Sequence, residues 1–539
     1  MGAVQSSAKN VALASKAYRD LKDQLKAVVR RLSSEPGLPS ENPTRAYWKQ
    51  DPPFPDLVHL RMIPPTNRTE IAIIGSGITA AAIAWTYLDE CRRSGNLRRV
   101  VVFESRDLAG GATSRNGGHL KIVPHQQFDE LRRHHGPTRA AAIIRFQLSH
   151  IKTFLEMCEE KNWDMAECRE VETVDYFLTD EERDNAFAKV DAIQKYIPDL
   201  TYTKYNAQEV HEKFPVDRHV KGALSYSAGA IHPYRFVSCV WKELLQEYKN
   251  VLYIRTNAPV ISIRALRGRS HAYEIVVDEL ETRTWECNHI VHATNAFATQ
   301  FVPGLRGRLT GVLGTVSMMR PGKLFGDSDP MSSWYICYGH SCDYAIQRPT
   351  VNGVQGDVIL GGGFSRSEGQ GANTLGVWDE SRLEPLPSAH LRGIFPTIFR
   401  NPLHHSLTGR KPATSELLYP DHEPGEWICA GYNGDGLMQA WLCGTALGIM
   451  LAQREEISQP KILGRPLGTL RSWFPPEMEA TPKRVQKATL ANLGHRFFWS
   501  LLSRRYADPA PDLENDSDSV ISGNGILPLL GDIPFWVFM

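Results

Sequence analysis

The residues best suited to chemistry lie where glycines interrupt apolar runs. Ile71-Ala72-Ile73-Ile74 runs straight into Gly75-Ser76-Gly77, and an alanine-rich helical pattern follows from Ile78. Gly75 permits a sharp turn, and Gly77 lacks a side chain that would hold a pyrophosphate away. Ala80 is small enough for close helix–strand packing. A diphosphate placed there meets a helix N-terminus, whose N–H groups and dipole favour negative charge. Downstream, Val100-Val-Val-Phe103 ends in Glu104, an acid placed to accept hydrogen bonds from ribose hydroxyls.

Two further glycine clusters carry polar groups. Gly110-Gly-Ala-Thr113-Ser114-Arg-Asn116-Gly117-Gly118-His119 follows the second strand at its carboxyl end, where ligands bind in open α/β sheets. Thr113 and Ser114 can donate to a phosphate, and Gly117 and Gly118 leave space beside a ring. Gly431-Tyr-Asn-Gly434-Asp435-Gly436 precedes a helical pattern through Leu437 and Met438. A helix starting there directs its dipole at developing negative charge. Tyr344, Ile346 and Arg348 stand at alternate positions of a strand pattern. Arg348 can clamp a carboxylate bidentately or make an ion pair, and the residues alone leave both open.

These groups need a scaffold, and the patterns supply one. Helical segments are expected over 126–158 and 180–195. Strands are expected near 174–178, 253–256, 260–263, 273–277, 289–292, through 309–363, and at 427–431. Residues 33–66 are Pro- and Ser-rich and read as a linker. The acidic, Pro/Ser/Asn-rich stretch 507–525 reads as disordered, and the apolar segment 526–539 carries no assigned role.

The bulk numbers set limits. The chain has 539 residues, a formal net charge of +1 and 42% hydrophobic residues, enough for two interleaved domains with tails. The near-neutral charge argues against a nucleic-acid partner. Nine scattered cysteines read as reduced thiols, with Cys337 and Cys342 the one short spacing. No apolar run reaches the ~18 residues of a membrane span, and the N-terminus lacks a secretory apolar core; a cytoplasmic protein is expected. The chain opens Met1-Gly2-Ala-Val-Gln-Ser6, a myristoylation pattern, followed by a basic amphipathic helix over 9–32. That helix suits either peripheral membrane contact or packing on the body.

Taken in order, the motifs resemble the D-amino-acid-oxidase-like (DAO) superfamily of FAD-dependent oxidoreductases. The resemblance covers about residues 68–455, through the three glycine clusters, Gly229-Ala-Ile-His232-Pro-Tyr234 and Ala293-Thr-Asn-Ala-Phe297. It looks closest to fungal amine or amino-acid oxidase-like members. It implies an α/β fold, with a Rossmann-like FAD-binding domain interleaved with an antiparallel β-sheet substrate domain. On that basis, 1–66 is an N-terminal helix and linker. Residues 67–125, 215–300 and 404–455 form the discontinuous FAD-binding domain, and 126–214 and 301–403 the substrate domain. Residues 456–539 are a partly disordered extension.

The resemblance implies that Gly75, Ser76, Gly77 and Thr79 surround the pyrophosphate and Glu104 holds the ribose. Thr113, Ser114, Asn116, Gly117 and Gly118 line the flavin, and Gly434, Asp435, Gly436, Leu437 and Met438 sit by its pyrimidine edge. Arg348 and Tyr344 are the substrate-binding candidates. The implied reaction moves a hydride from the carbon beside an unprotonated amine to flavin, with imine hydrolysis and oxygen as acceptor. The substrate would be a small amine or amino-acid-like molecule, in secondary metabolism.

Two positions depart from that pattern. Asp435 stands where the family usually has histidine, and a carboxylate there opposes an anionic flavin unless it is protonated or turned away. The stretch 410–416 has no cysteine for covalent attachment, so noncovalent FAD is expected. No second Gly-x-Gly-x-x-Gly is present, which argues against a nicotinamide site. Asp435, the lipid-anchor pattern and the long tails also motivate an alternative: a flavin-binding protein with a binding or trafficking role and little or no turnover.

Overall fold

A computed structural model describes residues 2–266, 272–279, 282–321, 332–338, 341–399, 404–406, 410–411, 425–432, 434–458, 460–480 and 485. The expected segments 507–525 and 526–539, and 412–416 of the cysteine-free stretch 410–416, lie outside these residues. Two sheets organise the described chain. The first has the strand order Leu252–Arg255, Val100–Phe103, Arg68–Ile74, Arg283–His292, Tyr273–Val277, Val260–Ala265. Its first four strands run parallel, Glu426–Ile428 joins Arg283–His292 in parallel, and the last two turn antiparallel. Val100–Phe103 is buried along its whole length, as a strand covered on both faces must be.

The helix Ile78–Arg93 follows the strand Arg68–Ile74 and packs against Ala440–Leu451. Their contact depends on small residues. A Cβ at Gly444 would lie 2.8 Å from the Ala82 methyl, and one at Gly448 would lie 2.8 Å from Thr86 Cβ. Glycine at both positions lets two largely buried helices approach closely.

The second sheet is antiparallel except where Ser332–Tyr338 lies parallel to Arg169–Phe177. It corrects the expected division of the chain at three places. His119–Leu120, Gly222–Ala230, and the strands His404–Ser406 and Arg410–Lys411 all pair within it, not within the dinucleotide-type sheet. The reason is that the chain changes sheets beside the site. It does so at Gly118, with φ of 70°, and again after Ala230, ahead of the helix Pro233–Glu247. Segments adjacent in sequence to the first sheet therefore pair in the second. The expected long helix over 126–158 is two helices, Pro124–His135 and Pro137–Glu160, broken at Gly136.

The N-terminal helix Gly2–Ser33 docks by its last turns. Val28 and Leu32 are buried, and the Arg31 guanidinium donates to the carbonyls of Leu375 and Ala372 at 3.1 and 2.8 Å. No helix among the described residues is long and apolar enough to cross a membrane.

Candidate active site

A cavity of about 730 Å³ runs between the two sheets. At one end it is lined by Gly75, Ser76, Gly77, Thr79 and Glu104, and at the other by Lys121, Tyr335 and Tyr344. Gly434, Asp435, Gly436, Leu437 and Met438 form part of its wall. The sequence motifs thus converge on one space, though separated by hundreds of residues.

Local geometry explains the first end. Gly75 has φ of 101°, and a Cβ there would lie 2.7 Å from the Ala293 carbonyl oxygen. Only glycine fits that backbone. Gly77 caps the helix with an ordinary φ of −70°, and its absent Cβ would lie 3.0 Å from Thr113 Oγ1. Thr113 Oγ1 accepts the Ile78 N–H at 3.0 Å, so this hydroxyl satisfies a helix-start donor. Glu104 Oε2 accepts from the Ser76 N–H and Oγ–H at 3.1 and 2.7 Å, which ties the glycine turn to the neighbouring strand. Thr79 shares a 2.7 Å hydrogen bond with Tyr432.

The loop after Glu104 divides in its roles. Asn116 and Gly117 line the cavity, whereas Ser114 and Gly118 do not. Ser114 donates back to the Gly111 carbonyl. The missing side chains of Gly117 and Gly118 leave room for protein. The Tyr344 ring occupies the space beside Gly117, and the Ile231 carbonyl and the Trp48 ring that beside Gly118. Gly361 also makes way for the Tyr344 ring. Tyr344 thus accounts for the missing side chains of Gly117 and Gly361, and Ile231 and Trp48 for that of Gly118.

Arg348 is placed differently from its expected role as a clamp. The strand ends at Gln347, so Arg348 leaves the pleat that carries Tyr344 toward the cavity. Its guanidinium grips Glu167 through two nitrogens, and Nη1 donates to Tyr47 Oη at 2.8 Å. It does not line the cavity. The ion-pair alternative is the one observed. Arg348→Ala is expected to destabilise the protein by about 1–2 kcal/mol in urea titration. That is less than for a fully buried pair, because Arg235 also reaches Glu167 at 3.2 Å. FAD retention should be unchanged.

Sequence reasoning missed several cavity neighbours. Trp48, from the Pro-rich linker, is buried and donates to the Asn116 carbonyl. A tryptophan within a linker composition was the available signal. Lys121 has a side chain only 4% exposed, ion-paired with Asp175 and donating to Thr173 Oγ1 at 2.9 Å. Its Nζ stands 4.5 Å from the Tyr335 ring centroid and 5.1 Å from that of Tyr226. The spacing His119-Leu-Lys121 was visible, but its partner Asp175 lies on a distant strand. His232 accepts the Arg235 N–H as a helix cap and is not part of the cavity lining.

Asp435 is the decisive electrostatic feature. Burial pushes its carboxyl up to about 7, opposed by a hydrogen bond from Gln127 Nε2 to Oδ2 at 2.6 Å and reinforced by Glu130. Around neutral pH a large fraction is therefore the neutral acid. A neutral group does not oppose negative charge in the cavity.

The residues fit FAD. Two glycines open the helix start to a diphosphate, Glu104 stands at the adjacent strand end, and the cavity continues from there to an aromatic wall. Thr294 Oγ1 and Gln127 Oε1, on residues lining it, are enclosed without a protein hydrogen-bond partner. The family profile described as FAD dependent oxidoreductase (DAO) matches residues 70–448. The chain belongs to this family. Its cofactor is FAD, and it is an oxidoreductase of the DAO type.

Solved structures share the fold. Glycine oxidase from Geobacillus kaustophilus aligns with a TM-score of 0.53 at 19% identity, covering 73% of this chain and 97% of that one. L-proline dehydrogenase from P. horikoshii gives 0.55 at 18% identity, covering 79% and 100%. L-amino acid deaminase from Proteus vulgaris gives 0.52 at 14% identity, covering 77% and 98%. No curated protein matches the chain by sequence.

Proposed function

We propose that this protein oxidises a C–N bond of a small amine or amino-acid-like substrate, with oxygen as acceptor and in secondary metabolism. The observation that carries the reading is the continuous cavity joining the Gly75–Gly77 turn to Tyr335 and Tyr344 on the second sheet. The solved relatives named for glycine, L-proline and L-amino acids support the substrate class. Noncovalent FAD is part of the proposal.

Bound FAD supplies the two-electron acceptor for the substrate C–H bond. The chain supplies binding and orientation. Tyr335 and Tyr344 are directly opposed across the hairpin and present aromatic faces, which hold an amine's apolar body or its cationic group. Lys121 and Asp175 form a buried ion pair beside Tyr335, a fixed dipole held away from bulk water. Asp435, held by Gln127, keeps the wall on the Gly434–Met438 side close to neutral. This supports turnover over the reading of a flavin holder without it.

The acceptor is tested by supplying primary amines, secondary amines and amino acids in air. Oxygen uptake matched by imine-derived carbonyl is expected for at least one class. Carbonyl formed only with an artificial electron acceptor would make the protein a dehydrogenase.

A further inference from the structure

Cys337 and Cys342 face each other in the cavity wall. Ser332–Tyr338 and Ser341–Gln347 run antiparallel, with Cys337 directly opposite Cys342 and Tyr335 opposite Tyr344. Alternation along a strand puts both pairs on one sheet face, and all four residues line the cavity. The two sulfurs are 3.2 Å apart, and both cysteines are free thiols. Directly opposed residues in an antiparallel pair have Cα atoms roughly 4.5 or 5.5 Å apart. Both distances fall inside the roughly 4.4–6.8 Å range that a disulfide spans. Forming the bond needs side-chain rotation and no shift of strand register.

The two thiols are not equivalent. Cys342 is half-buried, whereas Cys337 is buried. The contact with Cys342, together with burial, pushes the Cys337 thiol up, against the pull of Lys121. Cys342 is the sulfur a small oxidant meets first, and Cys337 is the resolving thiol beside it.

We infer that Cys337 and Cys342 form a reversible redox-modification site, converted by a hydroperoxide to a cross-strand disulfide in the cavity wall. With hydrogen peroxide the steps balance. The Cys342 sulfur attacks one peroxide oxygen, the O–O bond breaks, an S–O bond forms and water leaves. The Cys337 sulfur then attacks the Cys342 sulfur, the S–O bond breaks, and the hydroxyl leaves with the Cys337 proton as a second water. Two thiols lose two electrons, and one peroxide becomes two waters. A dithiol reductant reverses the change by exchange. Formation of peroxide within the cavity rests on the oxygen-linked reading proposed above. Peroxide added from outside tests the thiols without it.

The experiment treats the full-length, FAD-loaded protein with hydrogen peroxide, then alkylates it and maps peptides by mass. The expected result is loss of two of the nine thiols, with the peptide spanning 337–342 unalkylated and lighter by two hydrogens. Dithiothreitol should restore both. In Cys342→Ser, Cys337 should remain fully alkylatable, with retained flavin colour reporting the fold. Cys158 and Cys168, a second hydrogen-bonded thiol pair outside the cavity wall, serve as the internal comparison. Full alkylation of Cys337 and Cys342 after peroxide would overturn the inference, as would single-sulfur over-oxidation with no link. So would an unchanged thiol loss in Cys342→Ser. If that variant fails to fold, the wild-type peptide map decides alone.

Discussion

Gly77→Leu is expected to give a folded protein that no longer retains FAD. The backbone at Gly77 has φ of −70°, which any residue adopts, so the substitution need not strain the turn. The new side chain has Thr113 Oγ1 3.0 Å from its Cβ position, and it must grow into the cavity at the helix start. That is where a diphosphate needs close approach to the backbone. Affinity should fall by about 100-fold or more, roughly 2.8 kcal/mol at 1.4 kcal/mol per tenfold. Circular dichroism checks the fold, and the absorbance of the purified protein checks the cofactor. Gly75→Leu is expected to fail differently. Its φ of 101° and the Ala293 carbonyl make any Cβ a backbone problem, so that variant should lose stability before it loses FAD. Yellow Gly77→Leu protein at wild-type yield would remove the assignment of this end of the cavity.

Asp435→Asn is expected to change the pH response of the protein more than its behaviour at low pH. The Asp435 carboxyl is raised from 3.8 to about 7, so the folded state keeps a proton that the unfolded chain has released. Between those values the unfolded state binds fewer protons. Stability therefore declines as pH rises from about 4 to about 7 and then levels. A shift of one unit corresponds to about 1.36 kcal/mol. Asp435 is only half-buried, with one side open to the cavity, and that screening reduces the effect to about 2 kcal/mol. Relative to wild type, Asp435→Asn should gain about that much on going from pH 4 to pH 8. Urea titrations at both pH values measure the difference. The flavin midpoint potential gives a second readout. At pH 8 the wild-type carboxylate opposes electron uptake, so the variant should lie higher by on the order of 30 mV, about 1.4 kcal/mol for a two-electron couple. At pH 5 the two should nearly coincide. A wild-type protein with no such divergence would mean that Asp435 stays ionised.

The parts of the site legible in the sequence were local ones. Strand, Gly75-Ser-Gly77 turn, helix and Glu104 lie within some thirty residues, and apolar runs and glycines mark each step. The Gly434–Met438 cluster was legible for the same reason. What could not be read depended on distant partners. The upward shift of the Asp435 carboxyl comes from burial and from Glu130, opposed by Gln127, both on a helix about three hundred residues earlier in the chain. Lys121 meets Asp175 only because strands from separate segments share the second sheet. Arg348 was misplaced by one feature, the end of its strand at Gln347, which alternation alone does not signal. Gly117 and Gly118 read as leaving space beside a ring, and the protein atoms beside them are those of Tyr344, Trp48 and the Ile231 carbonyl. A glycine records that something approaches closely and does not say what.

The central claim is that the cavity between the sheets brings an amine to FAD. Anaerobic mixing of the FAD-loaded protein with a panel of amines and amino acids tests it most directly, read by flavin absorbance. The expected result is bleaching by at least one primary or secondary amine, saturating with concentration and lost on blocking the amine by acylation. Flavin that dithionite bleaches but no amine in the panel does would contradict the claim and restore the reading of a flavin-binding protein without turnover.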